Sequence, residues 1–319
     1  MRKIAGALMI AATLASGQAP PCIELKHLYT FGSRQGIHPP TILNRRPATV
    51  ALGKGENPYG LVFPVAVATD LRRRVWITDS GTASVHVFDM TAGSYREIRR
   101  AGDATLLQPS GIVVDSAGRI FVCDSGGGRV FTFDETGEFD HFLWKPRERL
   151  LESPGAIALS EDGKTIYVAD PPRNVVVALN REGEVNGTIQ LPPEFGEPAA
   201  ISVIGNQIYV LGNRQHRVGI FSPGGNQRGE IRWDGIRFPS AFTYDPGRRR
   251  FLVANPRWMI VEIFNDEGRN LGAFGQLGDG VDQMERVDFL HVDPQGLHYL
   301  VDSHHGKVLV FADSARVLR

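Results

Sequence analysis

A sixteen-residue segment recurs six times along this chain, and its spacing restricts the fold to a few architectures. The clearest copy, "RIFVCDSGGGRVFTFD" at 119–134, places two apolar runs around a short turn that begins with an acid. The equivalent turn positions lie 42 to 47 residues apart. They are Asp79, Asp124, Asp170, Gly212, Asn255 and Asp302. Because units of this length bury their apolar faces only against neighbouring copies, the spacing predicts a repeat protein.

Each unit also contains a first and a last strand. In five copies a proline opens a short apolar run, as in "FPVAVATD" at 63–70 and "QPSGIVVD" at 108–115, whereas the sixth copy, "RVDFLHVD" at 286–293, lacks the proline. A weaker run such as "NLGAFG" at 270–275 ends the unit. Four short strands in each of six units predict an all-β, six-bladed β-propeller of four-stranded antiparallel blades.

The last unit ends soon after its third strand, so its fourth strand must come from elsewhere. The run "IELKHLYTFGSR" at 23–34 is similar to the fourth strands of the other units. Its pairing with the last unit would remove an open sheet edge, and we therefore predict that the N-terminal strand closes the ring. The connection at 35–62 is longer than most loops, and the sequence leaves open whether it is a functional loop or a packed cap.

The first residues are typical of an export signal. Arg2 and Lys3 precede an apolar run from Ile4 to Leu14, which small residues follow; this order predicts a signal peptide over 1–17. The expected mature chain has an arm at 18–62 and the propeller at 63–319. It is expected in the periplasm or outside the cell, without a transmembrane segment. Since 35 basic and 35 acidic residues balance, the charge does not favour nucleic acid as a partner.

One copy identifies a family resemblance. The segment "PSGIVVDSAGRIFVCDSGGGRVFTFDETGEF" at 109–139 closely resembles the NHL repeat, and the other copies between 63 and 312 resemble it more loosely. The resemblance implies an NHL-type propeller. It implies little about activity, because one scaffold of this kind carries unrelated functions.

Two enzyme groups with related propellers can be compared with this chain. Peptidyl-hydroxyglycine lyases of the family carry histidines directly after the blade-opening proline, where they converge on zinc. The matching residues here are Val65, Ser110, Gly155, Ala199, Ser240 and Asp288, so the resemblance disfavours that activity and predicts no zinc site. Related lactonases hold calcium with a Glu, Asn and Asp set. Asp288, Asn255 and Asn213 occupy roughly corresponding positions, so calcium is the one cofactor that the sequence leaves open.

The glycine-rich turn "DSGGGR" at 124–129 has strands on both sides and no helix after it. It therefore predicts a hairpin turn and not a phosphate-binding loop. The recurring acid is expected to accept hydrogen bonds from turn amides and to pair with an arginine, as at Arg129 and Arg217.

The turns of the last three units depart from this pattern. They read "GNRQHR" at 212–217, "NPRWM" at 255–259 and "DSHHGK" at 302–307. Basic donors beside an aromatic ring suit a protein partner or an anionic small molecule. The candidate binding residues are Arg214, His216, Arg257, Trp258, His304 and His305.

Two functions follow from these features. The favoured one is an exported, non-enzymatic binding or assembly module with its site on the loops of blades four to six. The alternative is an enzyme, a lyase or a calcium-dependent lactone-type hydrolase, that acts at the central channel. Asp288, His291 and Asn255 are the channel candidates. No assembled catalytic set is recognisable in the sequence.

Overall fold

The computed structural model describes residues 25–32, 60–144, 150–214, 217–233, 235–280 and 282–313. The predicted signal peptide, most of the stretch at 35–62, and His216 lie outside the described residues. Within the described ranges no helix has the length and apolar character that crossing a bilayer requires.

The described strands form six four-stranded antiparallel sheets, which confirms the predicted all-β, six-bladed propeller. Blade 1 comprises β2 (Pro64–Thr69), β3 (Arg74–Asp79), β4 (Ser84–Asp89) and β5 (Ser94–Ile98). A small hairpin, β6 (Arg100–Ala101) and β7 (Ala104–Thr105), precedes blade 2. Blade 2 comprises β8 (Pro109–Val114), β9 (Ile120–Asp124), β10 (Arg129–Phe133) and β11 (Phe139–Phe142).

The other blades repeat this order. Blade 3 comprises β12 (Ile157–Leu159), β13 (Ile166–Asp170), β14 (Val175–Leu179) and β15 (Val185–Gln190). Blade 4 comprises β16 (Pro198–Ile204), β17 (Gln207–Gly212), β18 (Arg217–Phe221) and β19 (Gln227–Arg232). Blade 5 comprises β20 (Phe242–Asp245), β21 (Arg250–Asn255), β22 (Ile260–Asn265) and β23 (Asn270–Phe274). Blade 6 comprises β24 (Phe289–Val292), β25 (His298–Asp302), β26 (Lys307–Asp313) and the N-terminal β1 (Leu25–Phe31).

Strand β1 closes the ring, as predicted. It pairs antiparallel with β26 from Leu25 opposite Asp313 to Phe31 opposite Val308. The buried ring of Phe31 lies 4.6 Å from that of Phe88 in blade 1, measured between centroids. The N-terminal strand thus completes blade 6 and also packs against the next blade.

The apolar core lies between consecutive blades. In β3, Val75 and Ile77 pack towards blade 6, whereas Trp76 between them packs towards blade 2. In β9, Val122 packs towards blade 1 and Cys123 towards blade 3. Because successive side chains of a strand point to opposite faces, each middle strand serves two interfaces and is apolar almost throughout.

Strand direction alternates within a blade, so the turns between second and third strands lie at the same end of the ring as the connections between blades. We call this end the loop face and the opposite end the turn face. On the loop face, Asp79 at the end of β3 accepts the backbone N–H groups of Val62 at 2.7 Å and Phe63 at 3.0 Å. It also accepts those of Gly81 and Thr82 in its own turn.

The same interaction recurs around the ring, and we call it the carboxylate clamp. Asp124 accepts the N–H groups of Leu107 at 3.0 Å and Gln108 at 2.6 Å. Asp170 of blade 3 binds the amides of residues 152 and 153 at 3.0 and 2.9 Å.

In blades 4 and 6 a single amide hydrogen bond replaces the two that the aspartate accepts in blades 1 to 3. In blade 4 the acid position is Gly212, and the neighbouring Asn213 accepts the amide of Glu197 at 3.1 Å. In blade 6, Asp302 accepts the amide of Glu285 at 2.9 Å. The recurring acid therefore fastens the entry of each of these blades to the end of its own second strand.

The predicted pairing of Arg129 with the acid is wrong. Arg129 forms no ion pair with a described residue, and its guanidinium carbon lies 5.4 Å from the ring centroid of Phe142. Both carboxylate oxygens of Asp124 already accept amide hydrogens, which satisfies the acid without arginine.

Replacement of Asp124 by alanine should leave the amides of Leu107 and Gln108 without an acceptor. We expect a loss of about 3 kcal/mol in the free energy of unfolding, measured by urea denaturation. Asp103→Ala, at an exposed position of the small hairpin before blade 2, is the control and should leave the transition unchanged. Equal stability of the Asp124→Ala variant and the unsubstituted protein would contradict the clamp.

Phe31→Ala should weaken ring closure, because the ring of Phe31 fills the interface between β1 and blade 1. The expected cost is about 4 kcal/mol, the usual range for deleting a buried aromatic ring. Leu71→Ala, at a largely exposed side chain on the turn face, is the control. A loss of less than 1 kcal/mol, the scale of a surface substitution, would show that β1 does not hold the ring together.

Candidate functional site

Blade 5 lacks the carboxylate clamp. Asn255 occupies the clamp position and is buried, but its side chain points into the blade, where Nδ2 donates to Glu262 Oε1 at 2.7 Å. Its Oδ1 accepts the backbone N–H of Arg257 at 3.1 Å. Burial raises the pKa of Glu262, and the hydrogen bonds from Asn255 and Asn270 act in the opposite direction. The Asn255 side chain therefore makes no hydrogen bond to the described residues of the blade 5 connection.

The turn residue two positions after the clamp also differs between the blades. It is glycine in blades 1 and 2, and a Cβ atom at Gly81 would lie 2.7 Å from the side chain of Val62. At Gly126 a Cβ atom would lie 3.1 Å from the side chains of the connection. Arg257 holds the same position in blade 5, whereas blade 3 has Pro172 there and keeps both clamp bonds.

The unclamped loops of blade 5 display two arginines and two aromatic residues. Trp258 is 41% exposed, and the Arg257 guanidinium carbon lies 5.1 Å from its ring centroid. In the connection, Arg237 is exposed and Phe238 is 56% exposed. Neither arginine forms an ion pair with a described residue. We call these four residues the blade 5 patch.

The rest of the loop face is also rich in exposed apolar side chains. Among the described residues eight large apolar side chains are exposed, and six of them lie in loop-face segments. These six are Val62, Phe63, Leu107, Phe238, Trp258 and Leu277. Concentration of apolar surface at one end of a molecule marks an interaction surface more often than scattered exposure does.

Arg214 and the blade 6 histidines have different surroundings. Arg214 lies exposed in the blade 4 turn, next to blade 5. His304 Nε2 lies 3.2 Å from Glu285 Oε2, and His305 bonds Asp302 Oδ2 through Nδ1 at 2.8 Å. His305 Nε2 also lies 3.0 Å from the carboxylate of Asp279. Because the histidines face acids of the protein itself, the structure separates them from the basic residues of blades 4 and 5.

The central channel is mostly apolar. The first strands of the blades enclose a cavity of about 220 Å³ whose described polar residues are Thr69, Ser202, Thr243 and His291. His291 Nε2 lies 2.9 Å from Thr69 Oγ1. Burial lowers the pKa of His291 from 6.5 to about 4, so its imidazole is neutral at pH 7.

The other channel candidates are engaged elsewhere. Asp288 pairs with Arg286, and the Asp288 N–H donates to the carbonyl of Val301 at 2.9 Å. Asn213 uses its amide group on both the backbone and the carboxylate of Glu197. With Asn255 buried inside blade 5, each residue of the expected calcium set serves its own blade, and calcium binding stays a prediction.

Sequence reasoning missed Arg237 and Phe238. The residues just before the blade-opening proline would have located them, because "VFP" at 62–64, "LQP" at 107–109 and "RFP" at 237–239 mark the exposed end of each connection. In blades 1 and 2 the clamp hydrogen bonds explain why these side chains face outward, since the backbone N–H groups point inward to the carboxylate.

The depressed pKa of His291 predicts that the protein loses part of its free energy of unfolding at acidic pH. The unfolded chain binds a proton below pH 6.5 and the folded chain only near pH 4, so this contribution is complete above pH 6.5 and is lost as the pH falls. It amounts to at most about 3 kcal/mol, since the ring remains partly accessible to solvent in the channel.

His291→Gln keeps a polar partner for Thr69 but does not titrate. Urea denaturation at pH 7 and pH 4.5 should show a smaller acid loss of stability for this variant than for the unsubstituted protein. His141→Gln, at a half-exposed histidine of blade 2, is the control. Identical pH dependence of His291→Gln and the unsubstituted protein would contradict a buried neutral His291.

Comparison with solved structures supports the fold. A catalytically inactive variant of virginiamycin B lyase from Staphylococcus aureus, solved with quinupristin, superposes with a TM-score of 0.58 at 13% identity, covering 82% of each chain. A streptogramin B lyase gives a TM-score of 0.57 at 12% identity, over 79% of this chain and 93% of that one. A selenomethionine-substituted virginiamycin B lyase from Staphylococcus aureus gives 0.56 at 13% identity, over 79% and 95%. At such identities the likeness concerns the fold alone.

Sequence comparison is more restricted. No curated protein sequence matches the chain. The family model of the NHL repeat matches residues 106–133, which include the strands β8, β9 and β10 of blade 2. The repeat match in blade 2 and the six four-stranded blades together support an NHL-type β-propeller.

Proposed function

We propose that this protein is an exported, non-enzymatic binding module that holds a partner protein on its loop face, with the blade 5 patch at the centre of the contact. The observation that carries the proposal is the concentration of exposed apolar residues on this face beside arginines without ion-pair partners among the described residues. The signal peptide that the sequence predicts over 1–17 would place this partner outside the cytoplasm.

The residue types at the patch are those that dominate protein interfaces. Tryptophan and arginine contribute most of the binding energy at many interfaces, because they bury a large area and also make directional polar contacts. Arg257 lies against the Trp258 ring, so its guanidinium is held in place before a partner arrives. A preorganised pair loses less side-chain entropy on binding than two mobile side chains.

The positive charge of the patch favours a negatively charged partner. Arg214, Arg237 and Arg257 are exposed on neighbouring loops of blades 4 and 5. A partner segment with carboxylates next to aromatic or aliphatic side chains would pair with these guanidiniums and cover Phe238 and Trp258. We therefore propose an acidic, apolar peptide segment of a protein as the ligand.

The channel gives less support to the enzymatic alternative. The structural neighbours are lyases by name, but at 12 to 13% identity they carry only the fold. His291 is the one ionisable side chain among the described channel-lining residues, and its hydrogen bond within the described chain is with Thr69. A lyase or lactone-type hydrolase would need further acid–base groups in contact with the substrate.

Selection from a random dodecapeptide display library on the immobilised protein tests the proposal. Enriched peptides should combine carboxylates with aromatic or aliphatic residues. Arg257→Ala with Trp258→Ala should lower the affinity of an enriched peptide roughly 30-fold or more, the effect of losing one hot spot of about 2 kcal/mol.

The matched control removes an arginine and an apolar residue from the turn face, as Leu71→Ala with Arg72→Ala. This control should bind the peptide as the unsubstituted protein does, and circular dichroism should show the same fold for both variants. Enrichment of basic peptides, or equal binding by the patch variant, would overturn the proposal.

A further inference from the structure

We propose that a cavity at the closing seam of the ring, between blade 6 and blade 1, binds small amphiphilic carboxylates. The cavity has a volume of about 250 Å³ and lies among the turn-face ends of both blades. It is separate from the loop face, so the inference stands independently of the proposed function.

The interior of the cavity is apolar. Leu28 of β1 and Leu297 of blade 6 face Val75 and Met90 of blade 1 across the seam. By comparison with a 150 Å³ cavity that holds benzene, this volume accommodates about ten non-hydrogen atoms. The lining therefore suits a short aliphatic or aromatic body.

Two tyrosines and an aspartate form one polar wall. The hydroxyl of Tyr299 donates to Asp293 Oδ2 at 3.2 Å, and Tyr29 lines the same cavity. Burial raises the pKa of both phenols, so they stay protonated. Asp293 Oδ1 accepts the N–H of Leu297 at 2.8 Å. Both carboxylate oxygens of Asp293 thus accept hydrogen bonds within the protein, so this wall does not favour a cationic ligand.

The second acid of the cavity is neutralised as well. Asp70 accepts Arg74 Nε at 2.6 Å and Trp76 Nε1 at 3.1 Å, in addition to two backbone amides. Among the described lining residues, the guanidinium of Arg73 is the charged group that makes no hydrogen bond or ion pair with a described residue. Arg73 both lines the cavity and is exposed, so it stands at the opening.

The backbone of Arg73 supports a ligand role. Its φ is 63°, in the left-handed region that favours glycine, and the equivalent turn positions in blades 2, 3 and 6 are Gly118, Gly163 and Gly296. A non-glycine residue in this conformation costs stability, and such residues cluster at ligand-binding sites. A carboxylate at the opening would pair with Arg73 while its apolar body enters between the blades.

Three unbranched probes with eight carbons each test the proposal: octanoate, 1-octanol and octylamine. Isothermal titration calorimetry on the full chain should show octanoate binding at least tenfold more tightly than either other probe. Octanoate should also raise the unfolding temperature, because a ligand in the seam contacts both β1 and blade 1.

Arg73→Gly is the informative variant, since it removes the guanidinium and installs the residue found in blades 2, 3 and 6. We expect this variant to fold at least as stably as the unsubstituted protein and to bind octanoate at least tenfold more weakly. Arg249→Gly, at the left-handed position of the equivalent blade 5 turn, is the matched control and should bind octanoate normally.

The outcomes separate clearly. No octanoate binding at millimolar concentration, tighter binding of octylamine, or unchanged octanoate affinity in Arg73→Gly would each overturn the proposal. The loop-face variant with Arg257 and Trp258 replaced should retain octanoate binding whether or not it binds a peptide, so failure of the peptide experiment leaves this test intact.

Discussion

The carboxylate clamp is the interaction on which the arrangement of the blades depends. In blades 1 to 3 a buried aspartate takes two backbone N–H groups from the incoming connection, and in blades 4 and 6 an Asn or Asp takes one. Each clamp fixes the start of a first strand relative to the end of its own second strand in blades 1 to 4 and in blade 6. The apolar interfaces between blades then pack in a repeated way, and β1 completes the last of them.

Blade 5, which lacks this interaction, also exposes two arginines and two aromatic side chains on its loops. The Asn255 side chain donates a hydrogen bond to Glu262. Arg257 occupies the turn position that holds glycine in blades 1 and 2. The connection and the turn of this blade carry the exposed Arg237, Phe238, Arg257 and Trp258. Five clamped blades beside one blade without the clamp would give the proposed binding function a fixed frame and one contact sector.

The sequence predicts the fold well because the repeat is a local signal. The spacing of the acid, the blade-opening proline and the run at 23–34 were sufficient for six blades and for ring closure by β1. It predicts the site only in part, because the partners of an exposed side chain come from distant segments. The histidines His304 and His305 follow the same motif as Arg257, but Glu285 and Asp279 reach them from the preceding connection and change their surroundings. The seam cavity joins residues 28 and 297, which no local pattern relates.

Hydrogen exchange of single backbone amides, followed by NMR, tests the clamp and its absence in blade 5 most directly. The amides of Phe63, Gln108 and Ser153 bond to buried carboxylates and are expected to exchange slowly. The amide of Arg237 in blade 5 is expected to exchange fast. Equal protection of the Arg237 and Gln108 amides would contradict the absence of a clamp in blade 5, because its connection would then be as stable as that of blade 2.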